Sequence, residues 1–76
     1  MIDRIKVILL EINPDLDTEC SDLVSLGMLD SFDVVMLVQK LEESFDIRIP
    51  VGDILLENFE SVKDISKLVE SIKNKE

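Results

Sequence analysis

The segment that decides the fold reads Leu26-Gly27-Met28-Leu29-Asp30-Ser31-Phe32-Asp33. A glycine and two apolar residues precede Asp30 and Ser31, and an amphipathic pattern begins directly after them. Aspartate and serine are both favoured at the N-cap of a helix. The segment therefore predicts a loop that delivers Ser31 to the first turn of a helix, with Asp30 and Asp33 placed to cap it.

The residues after Ser31 have the period of an α-helix that runs to about Phe45. Its inner face is formed by Val34, Leu37, Val38, Leu41 and Phe45. The opposite face carries Phe32, Met36, Gln39 and Glu43. Because Phe32 and Met36 are apolar and face away from the core, they are expected to contact a partner. The alternative is that Phe32 folds back over the first turn and covers the end of the domain.

Two further amphipathic helices are predicted, one near each end of the chain. The first covers residues 2–12 and ends at Asn13-Pro14, because the residue before a proline avoids the helical region. Its apolar stripe is Ile2, Ile5, Ile8, Leu9 and Ile12. The last helix starts at Ser61, with Asp64 at N3 as a variant capping box. Its inner stripe is Val62, Ile65, Leu68, Val69 and Ile72.

The connections are predicted from the residues between these helices. Residues 13–30 form a long loop with a helical turn near residues 21–25. Its leucines should all pack inward: Leu16, Leu23, Leu26 and Leu29. Residues 46–52 should be an extended loop, residues 53–58 a short helix capped by Asp53, and Phe59 a core residue. The sum is an all-α fold, a single domain over residues 1–76 built as a small four-helix bundle with three long helices and one short one.

Composition excludes several classes of function. The net charge of −9 argues against nucleic acid and against an anionic membrane surface, and it suits basic patches on partner proteins. The chain has no histidine and one cysteine, Cys20, so neither a disulfide within the chain nor a histidine base is available. No apolar run is long enough to span a membrane. We expect a cytoplasmic monomer that is not an enzyme.

Ser31 has two local interpretations. If Asp30 is the N-cap, Ser31 lies at N1 with its hydroxyl free, and a phosphate on that oxygen would lie where helix N–H groups and the helix dipole stabilise anions. If Ser31 is itself the N-cap, it has a structural role only. Local sequence favours the second interpretation.

A wider sequence pattern favours the interpretation in which Asp30 is the N-cap and the Ser31 hydroxyl is free. Residues 26–37, in which Asp30-Ser31 follows a glycine-containing loop and opens an amphipathic helix, resemble the attachment segment of acyl carrier proteins. Residues 41–50 are similar to the end of that family's second helix and the loop after it, and residues 59–62 suit the start of its last helix. The resemblance implies an acyl-carrier-like helical bundle.

The resemblance also implies a function. Ser31 would bear a covalent 4′-phosphopantetheine, added by a phosphopantetheinyl transferase from coenzyme A with Mg²⁺. The arm would carry acyl or aminoacyl groups as thioesters between an activating ligase and downstream acyltransferases or synthases. Asp30 and Asp33 would belong to the cofactor site. Partner docking would use the outer face of the second helix, formed by Phe32, Val35, Met36, Gln39, Glu42 and Glu43.

The chain departs from the usual fatty-acid carrier at two positions. Phe32 stands where those carriers have leucine, and Met36 stands where they have an acidic residue. The sequence around Ser31 is closer to D-alanyl carrier proteins and to free-standing carriers of specialised pathways. Two alternatives therefore stand beside the acyl carrier: a D-alanyl or aminoacyl carrier, and an acidic protein-interaction module that is never modified.

Overall fold

The computed structural model describes residues 1–75 as three α-helices and two short 3-10 helices, with no β-strand in that range. Helix α1 spans Ile2–Ile12, α2 spans Ser31–Phe45 and α3 spans Val62–Lys73. The 3-10 helices, Val51–Asp53 and Leu56–Phe59, lie between α2 and α3. The all-α class is confirmed. Glu76, the last residue of the predicted domain, lies outside the described residues.

The helices enclose one core of mostly aliphatic side chains. Helix α1 packs against both α2 and α3, and the second 3-10 helix packs against α3. The predicted inner stripes of α2 and α3 are buried, except for Phe45, which is half-buried. Phe59 is fully buried, as expected, whereas Ile2 at the start of α1 is exposed. Within residues 1–75, no helix has the length and apolar character needed to cross a membrane.

The short fourth helix predicted for residues 53–58 is not confirmed. Asp53 ends the first 3-10 helix and caps no helix, and Leu55 is extended, with φ −107° and ψ 137°. The side-chain amide of Asn58 donates to the Asp53 carbonyl oxygen at 2.8 Å. Because the backbone is extended at Leu55, the segment forms two separate turns, which the Asn58 bond links.

The loop over residues 13–30 is pinned by three of its four leucines. Leu16, Leu23 and Leu29 are buried, but Leu26 is 66% exposed, so the prediction for Leu26 is wrong. Its backbone lies in a turn over residues 23–27, in which Leu26 N–H donates to the Asp22 carbonyl and Gly27 has a φ of +78°. Glycine adopts this left-handed conformation without a steric cost. The turn places Leu26 on its outer side.

Candidate functional site

The first turn of α2 is capped by Asp30. The backbone of Asp30 is extended, and its Oδ1 accepts a hydrogen bond from the backbone N–H of Asp33 at 2.8 Å. In return, Asp33 Oδ2 accepts a hydrogen bond from the backbone N–H of Asp30 at 3.3 Å. The two bonds form a reciprocal capping box. The predicted cap positions of Asp30 and Asp33 are confirmed.

Ser31 is therefore the first residue inside the helix. It is exposed, and none of the side-chain hydrogen bonds found in residues 1–75 uses its hydroxyl group. The interpretation that Ser31 is itself the N-cap is wrong, because the aspartate before it makes that bond. The hydroxyl is accessible to another molecule and is not required to hold the helix.

The surroundings of Ser31 fit a phosphoester on its oxygen. The N–H groups of the first turn and the positive end of the helix dipole favour an anion at this position. The negative charges of the Asp30 and Asp33 carboxylates repel an anion at this position. This repulsion is reduced because each carboxylate already accepts a backbone N–H of the capping box. The exposed hydroxyl leaves room for a long substituent directed into solvent.

The loop before Ser31 is held by Glu60, a residue to which sequence reasoning assigned no role. Its carboxylate accepts the backbone N–H groups of Val24 at 2.8 Å and Ser25 at 2.9 Å, as well as the Ser25 hydroxyl. The Glu60 carbonyl accepts the N–H of Leu23 at 2.9 Å. The hydrogen bonds from the Ser25 hydroxyl and amide, and to a smaller extent from the Val24 amide, lower the pKa of the Glu60 carboxyl against the opposing effect of burial.

The outer face of α2 is partly apolar. Phe32 is 75% exposed and Val35 is 57% exposed, whereas Met36 is half-buried. Phe32 does not cover the end of the domain, so that alternative is wrong. The exposed side chains of Phe32 and Val35 give α2 an apolar surface close to Ser31. Gln39 and Glu43 are exposed farther along the helix.

The structure separates the two acidic residues of the predicted docking face. Glu42 is half-buried, and its Oε2 accepts the backbone N–H of Ile49 at 2.9 Å. This bond holds the extended loop after α2, where Ile47 and Ile49 are buried and Arg48 is exposed. Glu43 is exposed and makes no such contact within the described chain. Glu42 thus has a structural bond that Glu43 lacks.

Comparison with known proteins gives one family. A family model described as "Phosphopantetheine attachment site" matches residues 3–69. An acyl carrier protein of Sulfurovum sp. is 39% identical over 75 residues, which cover 95% of this chain and 97% of the relative. A D-alanyl carrier protein of Streptococcus uberis is 33% identical over 58 residues, which cover 76% of this chain and 73% of the relative. A D-alanyl carrier protein of Streptococcus sanguinis is 36% identical over 53 residues, which cover 70% of this chain and 67% of the relative. No solved structure matches the chain.

The family model extends from α1 into α3 and so includes the whole first turn of α2. Members of this family bear a covalent 4′-phosphopantetheine, the cofactor that the resemblance of residues 26–37 implied. The free hydroxyl at the start of α2 has the chemistry that such an attachment needs. The chain belongs to the phosphopantetheine-attachment family and is a carrier protein of the acyl carrier and D-alanyl carrier type.

Proposed function

We propose that Ser31 is the attachment point and that the chain carries acyl or aminoacyl groups as thioesters on the arm. The observation that supports this most is the exposed Ser31 hydroxyl at the first position of α2, free because Asp30 makes the cap. When bound, the cofactor supplies a terminal thiol. The residues of this chain present the hydroxyl and offer partner enzymes a surface.

In this proposal, residues 1–76 are one carrier domain without catalysis of its own. The core supports this, because Ser66 is the only buried polar residue among those that the structure describes. In a chain without histidine, general acid–base catalysis near neutral pH needs a carboxylate or lysine with a shifted pKa, which burial usually provides. The two 3-10 helices take the place of the short fourth helix, and the chain acts as a monomer in the cytoplasm.

The proposed docking surface is the outer face of α2. Its residues are Phe32, Val35, Met36, Gln39, Glu42 and Glu43. Residues 30–60 contain eight acidic side chains and two basic ones, so a partner with a basic patch around an apolar pocket is the expected complement. The partners are a phosphopantetheinyl transferase, an acyl- or aminoacyl-activating ligase, and downstream acyltransferases or synthases.

The cargo divides the proposal into two forms. Relatives named acyl carrier protein and relatives named D-alanyl carrier protein both match the chain. Phe32 after the attachment serine favours the D-alanyl or aminoacyl form, whereas the longer match to the Sulfurovum protein favours the acyl form. Mass spectrometry of the arm, on protein purified from its native host, distinguishes a fatty acyl, a polyketide and an amino acid.

The modification itself is tested with purified apo protein. Incubation with coenzyme A, Mg²⁺ and a promiscuous phosphopantetheinyl transferase should add one phosphopantetheine to the intact mass. Ser31→Ala should gain nothing, and Ser71→Ala, which removes an exposed serine from α3, should be modified like the native chain. Failure of the native chain to gain mass with several transferases would support the unmodified interaction module instead.

A further inference from the structure

Glu60 makes an unusual set of contacts for a residue in front of a helix. It precedes Ser61, the N-cap of α3, yet its side chain does not cap that helix. Its carboxylate bonds instead to Val24 and Ser25 in the loop before α2. The backbone N–H groups of Val24 and Ser25 have no backbone acceptor in residues 1–75, so Glu60 is the acceptor that the turn depends on.

The contacts continue from this turn to the attachment serine. The Leu23 N–H donates to the Glu60 carbonyl, and the Leu23 carbonyl accepts the N–H of Leu29 at 3.0 Å. Leu23 and Leu29 are both buried, and Leu29 directly precedes the N-cap Asp30. Glu60 is thereby connected to the start of α2 through one turn and one backbone hydrogen bond.

We propose that Glu60 is a positioning residue for the modification of Ser31. The inference rests on the proposed function and adds a residue to it. The carboxylate holds residues 23–25 in one turn, so that Leu29 is seated and α2 begins with Asp30 as its cap and Ser31 exposed. Without the carboxylate, the loop populates other conformations and a smaller fraction of molecules presents Ser31.

A carboxylate suits this role better than buried leucines alone. Leucine packing restrains where the loop lies, but it satisfies no backbone N–H group. Hydrogen bonds to an ionised acceptor are shorter and stronger than neutral ones. Residues 13–30 contain no regular helix, and a loop of this length needs such anchors to keep one conformation.

The test compares four variants with the native chain in transferase kinetics. Glu60→Ala removes the acceptor. Glu60→Gln keeps Oε1 for the two backbone N–H groups, and Ser25→Ala removes only the hydroxyl donor. Glu70→Gln is the matched control, because it removes an exposed carboxylate from α3 without touching the loop. Circular dichroism and amide hydrogen exchange at residues 24 and 25 accompany each measurement under conditions in which the protein is folded.

Glu60→Ala should lower kcat/KM on the order of tenfold, as expected if the fraction of molecules that presents Ser31 falls to about a tenth. The loss should appear as a raised KM with kcat unchanged, because a smaller competent fraction weakens apparent binding. Glu60→Gln and Ser25→Ala should lower kcat/KM only about threefold. Amide hydrogen exchange at residues 24 and 25 should be faster than in the native chain, but less so than in Glu60→Ala. Glu70→Gln should match the native chain.

Native kinetics in Glu60→Ala, with faster exchange at residues 24 and 25, would overturn the inference and leave Glu60 a purely structural residue. If Glu60→Ala does not fold, the comparison of Ser25→Ala and Glu60→Gln with Glu70→Gln decides: equal rates in all three overturn the inference. If the native chain is not modified at all, the proposed function fails first and the inference falls with it.

Discussion

The starts of α2 and α3 carry the same two residue types and use them differently. At α3, Ser61 is the N-cap: its Oγ accepts the Asp64 N–H at 3.0 Å, and its hydroxyl donates to Asp64 Oδ2 at 2.9 Å. At α2, Asp30 is the N-cap, and Ser31 moves one residue into the helix. The residue before the serine decides whether the hydroxyl holds the helix or remains available for chemistry.

Glu60 and Asp30 explain this difference. Both acids directly precede a serine, but Asp30 caps its helix and Glu60 bonds to the distant turn at residues 23–25. Ser61 therefore has to cap α3 itself. One half of the predicted capping box at α3 is confirmed, because the Ser61 hydroxyl oxygen accepts the Asp64 N–H. In the other half, the Asp64 carboxylate accepts the Ser61 hydroxyl and not the Ser61 backbone N–H that a capping box would use.

The largest expected effect comes from replacing Ser31 or Ser61 by alanine, one at a time. Ser31→Ala should abolish modification while changing the free energy of unfolding by less than about 0.5 kcal/mol, since the hydroxyl holds nothing. Ser61→Ala should be modified normally and lose about 1 kcal/mol, the usual value of an N-cap. Intact-mass analysis and denaturant unfolding measure both. Phosphopantetheine found on a peptide containing Ser61 would contradict the comparison.

The residues after the two serines give the next prediction. Val62 is buried and Phe32 is exposed. Val62→Ala should lower the free energy of unfolding by about 2 kcal/mol and leave transferase KM unchanged. Phe32→Ala should keep its stability and raise KM roughly fivefold, if it contributes about 1 kcal/mol to docking as an aromatic contact. An unchanged KM for Phe32→Ala would remove this residue from the docking surface.

Removing the cap of α2 should make its start resemble that of α3. In Asp30→Ala, the Ser31 hydroxyl can take over part of the cap and is then less available, so modification should slow about threefold and stability should fall by less than the roughly 1 kcal/mol of a fully lost cap. Asp30→Asn keeps the oxygen that accepts the Asp33 N–H and should keep the stability of the native chain. Equal modification rates for Asp30→Ala and the native chain would show that the Ser31 hydroxyl stays available without this cap.

The outer faces of α2 and α3 differ in charge, which gives a smaller effect. Glu43→Lys on α2 should raise transferase KM about twofold to threefold at low salt and less at high salt, as expected for a charge at the rim of an interface. Lys67→Glu on α3 is the control and should leave KM unchanged. Reversal of Glu42 is avoided, because its carboxylate also holds the Ile49 N–H. Equal KM values for both variants would make the acidic face of α2 a solubility feature only.

The smallest expected effect is the pH dependence that comes from Glu60. Folding lowers the pKa of this carboxyl, so its contribution to stability is present above the pKa of the unfolded chain and is lost as the pH falls through the lower folded value. The native chain should exceed Glu60→Gln in free energy of unfolding at pH 7, and the difference should vanish on acidification. Denaturant unfolding from pH 7 to about pH 3 checks this, and a difference that persists unchanged at the lowest pH would contradict it.

Local patterns were sufficient wherever the structure depends on neighbours in the chain. The helix over residues 31–45 follows from its apolar period, and its start follows from the cap-forming residues Asp30, Ser31 and Asp33, although local sequence favoured Ser31 over Asp30 as the N-cap. Both effects act within a few residues, so they can be recognised without knowing the fold. The resemblance that identified Ser31 as a candidate depends on the same local segment.

Apolar periodicity failed where the backbone conformation of a loop decides which side chains turn inward. Leu26 looked like a core leucine, but the turn closed at Gly27 places it outside. Residues 53–58 looked helical, but the backbone is extended at Leu55 and divides the segment into two turns. Neither outcome is encoded in the period of the apolar residues.

The sequence by itself determined the three long helices, the place where α2 starts and the carrier family, because period, cap-forming residues and motif are properties of short segments. Only the tertiary structure decided which acids hold the fold and which remain free. Glu60 meets Val24 and Ser25 across 36 and 35 positions of sequence. No local pattern specifies such a pairing, because it exists only once the core has brought the start of α3 beside the loop before Ser31.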